Sequence, residues 1–180
     1  LSSLSVIDEI QNICIRNNKT LLIYFSMAFG NPYGEDWNES ILLSYIDKIK
    51  KKDINLLSLA DTIGSSTEES ISSIYTTVYS CFPELDIGLH LHSKPNDVYK
   101  KIESAWTVGC RRFDVAINGY GGCPFAQDTL VGNIPTENIL NFLANNKISH
   151  PLDLFAFAAE QGYVPAQNAL NRYFPKLNKQ

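Results

Sequence analysis

The sequence predicts an α/β chain assembled from parallel strand-helix units, and three observations lead there. Four short apolar runs recur, at residues 20–27, 54–60, 87–92 and 113–117. Segments with helical spacing of apolar residues, at 37–51, 68–79, 97–108 and 136–143, alternate with them. Polar and glycine-rich residues collect just after each run. Strands that are apolar almost throughout are buried on both faces, the habit of parallel sheets whose crossover helices cover them. The C-terminal ends of such strands are where closed barrels and open doubly wound sheets alike keep their ligand sites.

The elements follow in order. Residues 5–14 carry a helical period ahead of the first strand. The first run passes into Phe29-Gly-Asn-Pro-Tyr-Gly34, a turn by its glycine, asparagine and proline. The helix at 37–51 closes on Lys48, Lys50, Lys51 and Lys52, cations favoured at a helix C-terminus, so this cluster reads as a solvated helix end. The second run leads into Asp61-Thr-Ile-Gly64, the third ends on Leu89-His-Leu-His92, and the fourth enters Asn118-Gly-Tyr-Gly-Gly-Cys-Pro124. Pro135, Thr136 and Glu137 form the start of the helix at 136–143, with the acid in its first turn. Residues 1–180 read as a single domain, with 151–180 as C-terminal accessory helices, 152–161 and 165–173, on either side of Gly162.

Composition narrows the function classes. With 180 residues, 44% hydrophobic and 19% charged, the chain can bury a substantial core. A net charge of -4 supplies no footprint for nucleic acid. No apolar run reaches the roughly 18 residues of a membrane span, and no signal-peptide pattern opens the chain. Cys14, Cys81, Cys110 and Cys123 are far apart with no Cys-x-x-Cys pair, which fits reduced thiols and a cytoplasmic protein. The opening on Leu1, directly before a helical segment, is expected of a chain that starts inside a longer protein.

The chemistry gathers on a few positions. Alternate residues of a strand share a face, so His90 and His92 point one way while Leu89 and Leu91 point the other. A histidine on a strand is commonly a hydrogen-bonded structural residue, but two imidazoles on one side can chelate a cation. Imidazole serves zinc, iron, nickel and copper, and completes oxygen sites for manganese or magnesium. Asp61 stands at the same edge, where a carboxylate caps the next helix or holds a substrate group. Gly121 and Gly122 precede Cys123 and permit unusual backbone angles and close approach. A free cysteine is usually a small buried hydrophobe, yet a thiol on such a loop can move protons if local charge tunes it. Asn133 is either a turn residue or a source of an amide oxygen for a hard divalent cation.

The strings Phe25-Ser-Met-Ala-Phe-Gly-Asn-Pro-Tyr33, Ser58-Leu-Ala-Asp-Thr-Ile-Gly64, His90-Leu-His92, Gly119-Tyr-Gly-Gly-Cys-Pro-Phe-Ala126 and Gly132-Asn-Ile-Pro-Thr-Glu137 are together similar to the 3-hydroxy-3-methylglutaryl-CoA lyases, in that family's order. The resemblance implies the C-terminal half of a (β/α)8 TIM barrel: four parallel βα units plus C-terminal helices, with the first four units absent. It implies His90, His92 and Asn133 as ligands of magnesium or manganese, Cys123 as the catalytic cysteine of a loop, and Asp61 as a needed acid. It places Glu137 near metal and loop, and Ser58 and Tyr24 in the barrel interior. The implied reaction cleaves 3-hydroxy-3-methylglutaryl-CoA to acetyl-CoA and acetoacetate, with His90, an aspartate of the absent half and a water on the metal all open as the general base. Implied partners are an acyl-CoA substrate and either a second copy or the absent N-terminal half. Two departures stand out: the spacer from Cys123 to Asn133 is about one residue longer than in the best-known members, and Asn118 and Tyr120 replace smaller or aliphatic residues. A barrel carboligase or aldolase, or a catalytically silent half-barrel, are the alternatives.

Overall fold

The computed structural model describes residues 3–122 and 131–149. In chain order the elements are α1 (Ser3–Arg16), β1 (Leu22–Phe25), α2 (Glu39–Lys50), β2 (Leu56–Ala60), α3 (Glu68–Cys81), β3 (Asp86–His90), β4 (His92–Ser93), α4 (Val98–Thr107), a 3-10 turn (Ile117–Gly119), β5 (Gly132–Asn133) and α5 (Thr136–Asn145). The expected helices within 151–180, and Cys123 itself, lie outside the described residues. Among the described residues no helix is long and apolar enough to cross a membrane.

β1, β2 and β3 form a parallel sheet in that order, with Tyr24 opposite Ser58 and Ser58 opposite Gly88. Side chains alternate across it. Leu57, Leu59, Ile87 and Leu89 enter the core with Leu42, Ile46 and Ile49 of α2, Ile71, Ile74 and Val78 of α3, and Ile102 and Ala105 of α4. Tyr24, Ser58 and His90 alternate with those residues and so belong to the other face. Parallel strands with helices on one side and a polar face on the other fit part of an α/β barrel. Local chemistry fixes the helix starts: the Asn38 side chain accepts from the Ile41 amide at 3.0 Å, and Thr67 and Ser70 form a reciprocal capping box. The lysine cluster closing α2 meets acids, with Lys51 on Asp47 at 2.6 Å and Lys52 on Asp8 at 2.5 Å.

Two expectations change form. The third run divides at Leu91: His90 ends the parallel sheet, and His92 and Ser93 pair antiparallel with Asn133 and Gly132. The fourth run, 113–117, makes only single parallel bridges, Phe113 with Leu89 and Ala116 with Pro135. The segment shares its bonds between two neighbours. Asp114 N donates to Leu89 O at 2.9 Å, while Ala116 N donates to Ile134 O at 3.1 Å. Beside Pro135 no ladder can extend, because α5 starts at Thr136 and the chain itself turns through Ile117–Gly119. Asn133, which the sequence left open as a turn residue or a cation ligand, lies with Gly132 in the two-residue strand β5.

Cys110 is fully buried, and burial pushes its thiol up from 9.0 to about 11. The folded state therefore keeps this proton to higher pH than the unfolded chain does. The resulting stability is complete below about pH 9 and is lost as pH rises through about 11. Urea unfolding across that range is expected to show a shallower loss of stability for Cys110→Ala than for the parent. Equal slopes would mean that another group titrates.

Candidate metal and acid-base site

His92 is buried, and its Nδ1 lies 2.7 Å from the carbonyl oxygen of Asp61. A carbonyl has no proton to give, so Nδ1–H donates and the lone pair of Nε2 is left for another partner. The His90 ring stands 5.0 Å from that of His92, centroid to centroid, at 82°. Burial, and then the neighbouring His92, lower the basicity of His90 and keep it neutral, although Asp114 and Asp61 act in the opposite sense. Its Nδ1 is buried without a hydrogen-bond partner. The Tyr24 ring stands 5.7 Å from that of His90, centroid to centroid, at 88°.

Asn133 is brought to the same place by its pairing opposite His92. Its Nδ2 donates to the carbonyl of Tyr120 at 2.8 Å, which orients the amide and leaves Oδ1 buried and unpartnered. The start of the cysteine loop runs tight against this strand. A Cβ at Gly121, where φ is +88°, would lie 3.0 Å from Asn133 Nδ2, and one at Gly122 would lie 3.1 Å from the Val131 carbonyl. Glu137 accepts from the Asn118 amide at 3.0 Å and so anchors the turn that leads into the loop.

Asp61, almost fully buried, concentrates its bonds on one oxygen. Oδ2 accepts from Ser66 N at 3.1 Å, Ser66 Oγ at 2.5 Å and Lys101 Nζ at 3.1 Å, while Oδ1 has no partner. Below this layer, Ser58 donates to Asp114, whose carboxylate lies 3.8 Å from Arg112 Nη1. Burial raises the Tyr24 hydroxyl pKa, and the Asp114 carboxylate beside it adds to the rise. The structure thus brings Asp61, His90, His92 and Asn133 together, with Ser58 and Tyr24 beneath and Glu137 and the glycines at the loop. Sequence reasoning missed Lys101, Ser66 and Asp114. For Lys101 a signal existed: Val98, Lys101, Ile102 and Ala105 form the buried stripe of α4, and a lysine on such a stripe is out of place.

A buried polar atom without a partner costs about 1–3 kcal/mol. Among the described residues these atoms are Asp61 Oδ1, His90 Nδ1 and Asn133 Oδ1, all of them in this one site. Two imidazole nitrogens and an amide oxygen suit a divalent cation with mixed nitrogen and oxygen ligands. Among the described residues no three His, Cys, Asp or Glu side chains form a group that could hold a metal ion.

The HMGL-like family model matches residues 3–164. The chain belongs to the HMGL-like family. It is 30% identical over 178 residues to the hydroxymethylglutaryl-CoA lyase of Bacillus subtilis, covering 99% of this chain and 58% of that protein. It is 30% identical over 157 residues to the (R)-citramalyl-CoA lyase of Chloroflexus aurantiacus, covering 85% of this chain and 49% of that one. The crystal structure of the HMG-CoA lyase of Bacillus subtilis superposes with a TM-score of 0.75 at 29% identity, over 82% of this chain and 49% of that one. The chain spans about half the length of these HMGL-like relatives.

Manganese provides a direct check on the ligand set. Calorimetric titration is expected to show binding by the parent and affinity lower by at least about 10- to 100-fold for His92→Ala and for Asn133→Ala. Unchanged affinity in either variant would remove that residue from the set.

Proposed function

We propose that this chain forms the C-terminal half of a (β/α)8 barrel lyase, four βα units with accessory helices at 151–180. It cleaves 3-hydroxy-3-methylglutaryl-CoA to acetyl-CoA and acetoacetate. The observation that carries this reading is the convergence of His90, His92 and Asn133: His90 Nδ1 and Asn133 Oδ1 are buried without a hydrogen-bond partner among the described residues, and the His92 ring is held through Nδ1 by the Asp61 carbonyl. These three residues would hold magnesium or manganese, which supplies Lewis acidity toward the substrate's hydroxyl and carboxylate oxygens.

The chain's own residues do the rest. The Asp61 carbonyl keeps His92 in one tautomer, and the Tyr120 carbonyl keeps the Asn133 oxygen turned inward. Burial keeps His90 unprotonated. The free oxygen of Asp61 accepts a hydrogen bond from substrate. A general base, His90 or an aspartate of the N-terminal half, takes the hydroxyl proton; rupture of the carbon-carbon bond then turns the alcohol carbon into the ketone of acetoacetate and leaves the electron pair as a thioester enolate. Cys123 donates its thiol proton to that enolate carbon, giving acetyl-CoA. Gly121 and Gly122, just before Cys123 in the sequence, lie close to Asn133 and Val131. The remaining strands come from the N-terminal half of the same barrel, or the chain associates with a second copy to cover its edges.

The likeness to a citramalyl-CoA lyase supports a second reading, in which the same site cleaves an acyl-CoA with a different acyl chain. Turnover of both thioesters by the complete barrel separates the two. In that protein Cys123→Ser is expected to lower kcat by about 10²- to 10⁴-fold with KM changed far less. Wild-type turnover in the variant would make the cysteine a loop residue, and no turnover of any acyl-CoA by the parent would leave a silent half-barrel.

A further inference from the structure

We propose that Lys101 is a positioning residue of this site, tying the carboxylate of Asp61 to the backbone of His92 and thereby setting the His92 ring. The lysine is buried on the apolar stripe of α4, between Val98, Ile102 and Ala105, where a hydrophobic residue would serve packing better. All three protons of its ammonium find oxygen: Asp61 Oδ2 at 3.1 Å, the His92 carbonyl at 2.8 Å and the Gly64 carbonyl at 3.3 Å. The circuit closes, because the His92 ring donates back to the Asp61 carbonyl at 2.7 Å. One cation thus links the main chain of His92 to the side chain of the residue whose carbonyl selects the His92 tautomer. It also crowds Oδ2 of Asp61, together with Ser66, so that Oδ1 is the oxygen left over.

Without Lys101, the segment around Asp61 loses its anchor to His92, the bond from Nδ1–H to the Asp61 carbonyl weakens, and the imidazole samples both tautomers. The consequence for metal rests on the proposed function above; the consequence for the tautomer does not. Long-range ¹H–¹⁵N spectra of the histidine rings read the tautomer directly. In the parent, His92 is expected as the pure Nδ1–H form. In Lys101→Met it is expected as a mixture of tautomers.

Because Lys101→Met leaves a buried carboxylate unpaired, the double variant Lys101→Met/Asp61→Asn is measured beside it, with cooperative thermal unfolding as the check on folding. It too should show mixed tautomers, and manganese affinity about 10- to 100-fold below the parent. Lys101→Arg keeps the charge and should restore the Nδ1–H form. A lysine that merely holds α4 in place would lower the unfolding temperature and leave the tautomer alone. A pure Nδ1–H ring in the folded double variant, or a ring in Lys101→Arg as mixed as in the methionine variant, overturns the proposal. A parent that binds no manganese yet shows the tautomer shift overturns the metal reading and keeps Lys101 as a positioning residue.

Discussion

The in-register parallel pairing of β2 with β3 is the constraint on which the rest of the molecule depends. Leu57 lies beside Ile87 and Leu59 beside Leu89, so the two apolar pairs meet the helices together. The intervening positions place Ser58 by Gly88 and Ala60 by His90 on the other face. Since the side-chain period of a strand is two, a slip of one residue would turn His90 into the hydrophobic core and expose the leucines. The same register carries the chain beyond Ala60 to the level of β4. Asp61 N donates to the His90 carbonyl at 2.9 Å, and the acid and the two histidines become neighbours.

Around these neighbours, satisfied and unsatisfied polar groups stand in contrast. Asp61, Ser66, His92 and Lys101 are all buried close to the core, and such groups are tolerated there only when paired. Most of their capacity is used internally. Ser66 and Lys101 serve Asp61, and the Asp61 carbonyl serves His92. The atoms left over belong to Asp61, His90 and Asn133. The buried lysine is paired three times over, while three neighbouring polar atoms are without a partner among the described residues. That uneven satisfaction, more than the mere presence of two histidines, is the physical mark of the site.

The short antiparallel pair β4 and β5 has an influence out of proportion to its length. Only two residues on each side pair, yet they set Asn133 opposite His92 and draw the glycine turn against the strand. On the face of the sheet away from the helices, Tyr24, Ser58, Arg112 and Asp114 hold one another. That polar floor keeps His90 beside charged groups while burial keeps it neutral.

Local physics was enough for helices α1 to α5 and for strands β1 to β3. Apolar spacing marked α1 to α5 to within a few residues, and the apolar runs marked β1, β2 and β3. The histidines, Asp61, Asn133 and the glycines stood out as residue types at strand ends. The sequence could not show that Leu91 divides the third run, that 113–117 shares its bonds between two neighbours, or that Asn133 sits on a strand antiparallel to His92. Nor could it join His92 to a carbonyl 31 residues away, or Lys101 to a carboxylate 40 residues away. Periodicity, caps and turn chemistry act over a few residues and are written in the chain itself. Hydrogen-bond partners and buried charges are chosen by which distant segments the register of the sheet brings side by side, and only the folded structure makes that choice.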